Sequence, residues 1–305
     1  MRYLDGCLGS LRQQTDRDFD VILVDNASGD GSAAYVRAAY PEVCVVELSS
    51  NTGFCTAVNT GIRMAETPYV LLLNNDTVSG RHMVERLRGA LEKDDGAFSC
   101  AAKMIRMSDP RTLDDAGDYY CALGWAFARG RGASSEKYAG TEPVFACCAA
   151  AAIYRRKMLE KIGLFDERHF AYLEDIDLGW RARRAGYRNL YVPSAKVLHA
   201  GSATSGSAHN DFKVSLSSRN SVFLIYKNMP LWMIALNAPL LAAGYIIKAV
   251  YFSRMKLGRT YLKGILDGFK MCAKAGKAAR PEKSGSDGRI QLELWVNCLR
   301  RLTDF

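Results

Sequence analysis

The sequence predicts an α/β fold, a mainly parallel sheet covered by helices on both faces, followed by a helical C-terminal region directed at a membrane. Three observations carry this. Over the first two hundred residues, apolar runs of strand length alternate with segments of helical periodicity. Two of those strands, ending near Asp25 and at Leu73, run straight into polar clusters. Ligands of open α/β sheets bind at that carboxyl edge. Beyond residue 230 the alternation gives way to an apolar run and a basic tail.

The elements follow in order. Residues 4–13 read as a helix, 19–24 as a strand, 32–39 as a helix and 43–48 as a strand. Residues 55–65 form the next helix, 69–73 a buried strand, 82–93 a helix and 97–103 a strand. Residues 104–145 are rich in Gly, Asp and Ser, lack periodicity and suit a flap or short hairpins. Helices are expected at 155–162 and 174–185, stopped by Gly163 and Gly186, and a last short strand at 189–192. The chain opens on a helix, whereas the first strand of such a sheet normally lies near its centre. Either the chain lacks that strand or another segment fills its place. These patterns divide the chain into a catalytic-type domain over 1–225 and a C-terminal helical region over 226–305.

Composition narrows the class. With 49% hydrophobic and 24% charged residues, this is a folded globular chain. Nine cysteines without a C-x-x-C spacing argue against a disulfide framework or zinc ribbon and for a reducing compartment. The N-terminus does not read as a secretory signal. The net charge of +9 is concentrated at the end: residues 254–305 carry twelve Lys/Arg against five Asp/Glu. A basic tail suits nucleic acid or an anionic membrane face, and the apolar run Leu231 to Ile247 before it favours the membrane. Seventeen helical residues reach roughly 25 Å, short of a hydrocarbon core of about 30 Å. Pro239 interrupts the run, and basic residues lie on both sides of it. A surface-lying or re-entrant hairpin therefore fits better than a simple crossing or a buried core helix, and no nucleic acid is expected.

Four clusters could carry chemistry. Asn74-Asn75-Asp76-Thr77 ends the buried strand, where a carboxylate can hold a hard cation against a diphosphate. An ordinary Asn/Asp turn explains the same residues. Asp25 with Asn26, Ser28 and two glycines forms a ligand-facing loop or simply a well-capped turn. In Asn51-Thr52-Gly53-Phe54, Gly53 would let backbone approach a ligand and Asn51 would fix the loop. Glu174, Asp175 and Asp177 crowd a helix N-terminus, which favours acids. Asp177 is accounted for by Arg181 at i+4, which leaves Glu174 or Asp175 as a general base. Of the histidines, His82 and His169 read as surface residues and His209 as part of a polar loop. His199 ends an apolar run and is a candidate metal ligand.

Taken together these motifs resemble glycosyltransferase family 2, the inverting GT-A nucleotide-sugar transferases, and within it the rhamnosyltransferase-like branch. The resemblance covers residues 1–225 and rests on residues 24–32, 51–54, 72–77, 174–177 and 199–202 in that order. It implies a GT-A fold whose first strand is missing before Met1. It implies that Asp25 contacts the nucleotide base, with Asn26, Ser28, Asn51, Gly53, Asn74 and Asn75 completing the nucleotide-sugar site. Asp76 and His199 would hold Mg2+ or Mn2+, and Asp175, with Glu174 beside it, would supply the catalytic base. The donor would be dTDP-rhamnose or a UDP-sugar. The acceptor would be a glycan or lipid-linked hydroxyl at the cytoplasmic face of the inner membrane, where the enzyme would be peripherally held. The metal cluster has one carboxylate where the family has two or three, so weaker metal binding is expected without the donor.

Two alternatives remain at this stage. The turn from Gly29 to Ala34, with Glu47 at the next strand end, resembles a dinucleotide fingerprint and would make an NAD(P)-dependent oxidoreductase. The absent first strand leaves room for a non-catalytic nucleotide-sugar-binding relative.

Overall fold

The computed structural model describes residues 1–201, 209–275 and 285–303. The first part of the chain builds α1 (Leu4–Arg12), β1 (Ile22–Asp25), α2 (Ser32–Ala39), β2 (Cys44–Glu47), α3 (Gly53–Met64), β3 (Tyr69–Leu73), β4 (Thr77–Ser79), α4 (Met83–Glu92) and β5 (Ala97–Arg106). The expected elements in this part all form, with ends shifted by up to three residues; the short β4 is additional. The segment 104–145 resolves into short strands: β6 (Leu113–Asp115), the hairpin β7 (Asp118–Cys121) and β8 (Trp125–Ala128), and β9 (Glu142–Val144).

Then come β10 (Ala151–Arg155), α5 (Arg156–Ile162), α6 (Glu174–Arg184) and β11 (Arg188–His199). The central sheet runs β3-β10-β5-β11-β4, with β6 on β5 and β9 on β11. The α/β class stands, and the strand directions within the sheet are mixed. β5 and β11 are parallel; β10, β4, β6 and β9 run antiparallel to their neighbours. β10 escapes a reading of the sequence because Ala149 to Ala152 carry no strand preference. It also lies between β3 and β5, buried through most of its length, so no polar alternation marks it. β11 spans 12 residues instead of the expected four. Its register against β5 slips between Val192 and Lys196, around Pro193, which has no N–H to donate. Beyond the slip it continues to His199.

β1 and β2 stand apart as a parallel two-stranded sheet. Among the described residues no strand pairs with the outer edge of β1 or of β3. The core under the sheet is aromatic. Tyr120, Phe145 and Trp180 meet with ring centroids 5.3 to 5.8 Å apart.

The C-terminal region comprises α7 (Asp211–Asn228), α8 (Leu231–Arg254), α9 (Gly258–Ala275) and α10 (Asp287–Thr303). The expected boundary at 225/226 falls inside α7, which is bound to the catalytic half. Fully buried Asp177 on α6 accepts from Lys227 Nζ at 2.8 Å, Asn228 Nδ2 at 2.7 Å and Arg181 Nε at 3.0 Å. Burial alone would push this carboxyl up, but Arg181 and Lys227 hold it well below the usual carboxylate range. The i+4 pairing read from sequence is therefore present and structural.

α8 has 24 residues and is long and apolar enough to cross a membrane by length and composition. One of its faces is committed to the protein: Met233, Asn237, Leu241, Gly244 and Phe252 are buried. Asn237 exchanges hydrogen bonds with Gln291 at 2.7 and 3.0 Å and accepts from Trp295 Nε1 at 2.9 Å. Trp125 Nε1 donates to the Gly244 carbonyl at 3.2 Å. These bonds lay α8 along the domain. α9 packs on α7 through Gly264 and Gly268, where an added Cβ would stand 2.7 Å from the carbonyls of Ser215 and Arg219. Gly264→Val is accordingly expected to cost about 1–3 kcal/mol in urea unfolding. Gly288→Ala, with open space around it, should stay within about 0.5 kcal/mol.

Candidate active site

The polar end of β3 is held from three sides. Asn74 N donates to the Ala150 carbonyl at 2.8 Å, Thr77 Oγ1 to Asn74 O at 2.6 Å, and the Cys7 thiol of α1 approaches Asn74 O at 3.6 Å. β4 sets Thr77 opposite His199, and Ala200 N donates to Asp76 O at 2.9 Å. The pairing brings Asp76 Oδ1 to 3.4 Å from His199 Nε2. That Asp76 oxygen is buried and accepts no hydrogen bond. The other ring nitrogen, Nδ1, lies 2.7 Å from Asp114 Oδ2. Burial opposes a charge on the ring, but the carboxylates of Asp114 and Asp76 outweigh it and raise His199 to about 9. Asp76 Oδ1 and His199 Nε2 make an O/N donor pair that fits Mg2+ or Mn2+ once the ring gives up its Nε2 proton to the incoming cation. Asp114 behind the ring fixes its orientation.

Glu174 and Asp175 open α6 after a strained approach. Phe170, Tyr172 and Leu173 have φ of 63°, 71° and 68°, a region that costs residues other than glycine of order 1–3 kcal/mol each. α7 holds this loop. Asn220 Nδ2 lies 2.8–2.9 Å from the carbonyls of His169, Ala171 and Tyr172, and Arg219 donates to those of Arg168 and His169. The two acids then diverge. Burial, reinforced by Asp175, pushes Glu174 up to about 8, so it keeps its proton at neutral pH. Burial raises Asp175 to only about 6, because the backbone N–H of Ile176 and a hydrogen bond from Asp118 favour its ionised form. Asp175 is thus the base-competent member and Glu174 its neutral neighbour.

Asp114, Asp115 and Asp118 lie in the segment that showed no periodicity, and the sequence reading passed over them. Three acids within five positions around a glycine were the available signal. The turn is tight: Gly117 has φ of 100°, and its N–H reaches Asp115 Oδ1 at 2.5 Å. Nearly buried Arg129 anchors it, donating to Ala116 O at 2.8 Å and pairing with Glu142 at 2.6 Å. Asp115, Asp118 and Cys148 also set ligand atoms within 4.8 Å of one another. Burial raises Asp115 to about 6 and Asp118 and Cys148 well above their ordinary values. At neutral pH Asp118 therefore keeps its proton and faces Asp175 as a hydrogen-bond donor.

The expected nucleotide side is assembled but partly rewritten. Asp25 is buried at the end of β1, and Oδ1 accepts from Ser28 N at 3.2 Å. Asn26 spends its amide inside the protein. Nδ2 donates to Asn51 Oδ1 and Gly53 O, each at 3.1 Å, and Oδ1 accepts from Thr52 N at 2.9 Å. Asn51 also accepts from Gly53 N at 3.0 Å. Both asparagines therefore stitch the two loops together. Gly53, with φ of 85°, makes room for Phe170, whose ring an added Cβ would meet at 2.6 Å. The expected close approach to a ligand is an approach to the catalytic loop. Asn75 is exposed and Asn74 half-buried at the strand end.

Two other expectations are corrected. His169 is fully buried against Phe223 rather than on the surface, and burial lowers it to about 4. Glu47 pairs with Arg37 at 2.5 Å, both half-exposed, so the acid of the dinucleotide reading is already engaged. His82 is exposed as expected, and His209 meets Tyr251.

Comparison with known proteins decides the family. The profile described as Glycosyl transferase family 2 matches residues 2–163. An N-acetylglucosaminyl-diphospho-decaprenol L-rhamnosyltransferase of Mycobacterium tuberculosis is 31% identical over 220 residues, covering 65% of this chain and 71% of that protein. The chain belongs to glycosyltransferase family 2. Its fold is GT-A. GalNAc-T7, solved with UDP, GalNAc and Mn2+, superposes with a TM-score of 0.57 at 14% identity over 74% of this chain and 46% of its own. The mannosyltransferase PcManGT of Pyrobaculum calidifontis, in complex with GDP-Man and Mn2+, gives 0.54 at 17% identity over 90% and 83%. Family membership sets aside the oxidoreductase alternative.

In this glycosyltransferase the acidic limb of the rate profile should report Asp175. A general base at Asp175 would have to be ionised, so activity is expected to fall as pH drops through about 6. Asp118→Ala removes a hydrogen bond to that form and should move the limb to higher pH in kcat measurements. Asp118→Asn, which keeps a donor, should move it less. Asn220→Ala should lower kcat at least about tenfold with little change in donor KM, since a displaced base costs rate before binding.

Proposed function

We propose that this glycosyltransferase moves a sugar, with inversion, from a nucleoside-diphosphate donor to a hydroxyl of a lipid-linked glycan at the cytoplasmic membrane face. The observation that carries the reading is the split between two ends of one connected group of acidic side chains. An ionisable Asp175 stands at one end and the orphaned Asp76 oxygen beside His199 at the other, joined through the Asp114–Asp118 turn.

Asp175 takes the proton of the acceptor hydroxyl as its oxygen attacks the anomeric carbon. The bond from that carbon to the diphosphate oxygen breaks in the same displacement. One displacement gives one inversion, and no protein nucleophile is required. Glu174, neutral at working pH, keeps a second negative charge away from the base. Asp76 and His199 would hold Mg2+ or Mn2+, which neutralises charge on the departing diphosphate. Asp25 offers an acceptor to the N–H groups of a base, with Ser28, Asn74 and Asn75 as further candidates for donor contacts and Asn26, Asn51 and Gly53 shaping the loop. Rhamnose from dTDP-rhamnose is the favoured donor sugar, supported by the mycobacterial relative, and a UDP-sugar is the second choice. The polyprenyl acceptor in that relative's name, together with the apolar C-terminal helices, supports a membrane-bound acceptor.

A donor screen tests this, with nucleotide release measured in Mg2+ and in Mn2+ and with membrane acceptors present. Release with dTDP-rhamnose or a UDP-sugar is expected; none from any donor would favour a non-catalytic sugar-nucleotide binder. Asp175→Asn should lower turnover by about 10²–10⁴ while donor binding persists, and full activity in that variant would remove the base assignment.

A further inference from the structure

Nearly all of the exposed large hydrophobic residues lie in the C-terminal third. Among the described residues, Met1 and Met64 are the ones that precede residue 212. Their arrangement on α9 and α10 is unusual for a soluble protein. The buried seam of α9 is made largely of small residues, Gly258, Gly264, Gly268 and Cys272, with Tyr261. Its large apolar residues Leu262, Leu266 and Phe269 face outward at i, i+4 and i+7, 54 to 61% exposed. Arg259, Lys263, Lys270 and Lys274 line the flank of that stripe away from the seam, against one acid, Asp267. α10 repeats the inversion. Leu292, Trp295 and Leu299 are exposed, while its inner face carries Ile290, Gln291, Leu294 and Asn297. Its acids turn inward onto α6, Asp287 to Arg184 at 2.7 Å and Glu293 to Arg183, leaving Arg289 and Arg300 outside. α8 touches both helices and adds its own outward apolar face.

We propose that α8, α9 and α10 form a monotopic docking surface for an anionic lipid bilayer, with α9 lying in the headgroup plane. This deepens, and rests on, the reading of a membrane-bound acceptor. A large apolar stripe flanked by cations is the pattern of an interfacial helix. A second copy of the chain fits poorly, because a two-fold interface would set these basic flanks against each other. A spanning α8 fits poorly as well, since it would strip Asn237 from Gln291 and Trp295.

The surface also reaches the cleft. Asp211 Oδ1 accepts from Thr260 in the first turn of α9 at 2.5 Å. The next residue, Phe212, is 52% exposed and meets Phe170 and Tyr172 of the catalytic loop, each at 6.3 Å between ring centroids. An acceptor whose lipid tail stays in the bilayer would thus find an apolar path from α9 to the loop before Asp175.

Co-sedimentation of the full chain with vesicles tests the proposal. The wild type should bind vesicles rich in phosphatidylglycerol and bind phosphatidylcholine vesicles at least about tenfold more weakly. L266E/F269E, both exposed sites, should lose at least about tenfold in affinity at an unchanged Tm. K263Q/K270Q/K274Q should lose mainly the preference for the anionic lipid. Variants that bind as the wild type does, or a wild type that ignores vesicles, would overturn the proposal. A wild-type dimer in sedimentation equilibrium that L266E/F269E makes monomeric would overturn it in favour of self-association. Donor turnover is read separately. Vesicle binding without turnover leaves the docking surface standing and removes the acceptor reading; turnover without vesicle binding does the reverse.

Discussion

The cleft is organised around crowded negative charge. Asp76, Asp114, Asp115, Asp118, Glu174 and Asp175 gather in one mostly buried region, and its donor substrate would bring a diphosphate to it. Six carboxylates cannot all ionise there, because burial and mutual repulsion both oppose it. The structure divides them instead. Asp118 and Glu174 keep protons, Asp114 is ionised against His199 and Arg131, and Asp76 leaves an oxygen open beside His199. Asp175 is left poised between the two states. The same crowding that would destabilise a random cluster leaves an ionisable carboxyl at one end and a carboxylate oxygen without a hydrogen bond at the other.

The Asp114–Asp118 turn lets those ends act together. Three residues separate Asp114, which orients His199, from Asp118, which bonds Asp175. The turn is gripped by buried Arg129 and permitted by Gly117. α7 plays the matching role for the catalytic loop. It carries Asn220 under the strained residues 170–173 and Lys227 and Asn228 under Asp177. The helix that starts the C-terminal region therefore also holds the loop before Asp175. α9 packs along α7 through glycines and so rests on the helix that carries those bonds.

Local patterns were enough for much of this. The strand over 69–73 and its polar end, the helix beginning at Glu174, the Asp177–Arg181 pair and the ordered motifs of the family all repeat at short range, where propensity and spacing act. β10 was hidden because alanines buried between two strands show neither alternation nor strand preference. His169 looked exposed because nothing nearby in sequence announces that Phe223 will cover it. Asn26, Asn51 and Gly53 were legible as loop formers, but their partners lie 25 or more residues away, or across the fold at Phe170.

The sequence by itself determined the class of the fold, the family, and the candidates Asp25, Asp76, Glu174, Asp175 and His199. Each of these sits at the end of an element that its neighbours specify. Only the tertiary structure decided which of the two adjacent acids is ionised, that Asp114 stands behind His199 and Asp118 beside Asp175, and that α8 lies along the domain. Those outcomes depend on burial and on contacts between distant segments. Charge in a low-dielectric cleft and the side of a helix that stays dry are properties of the assembled chain, which no local pattern encodes.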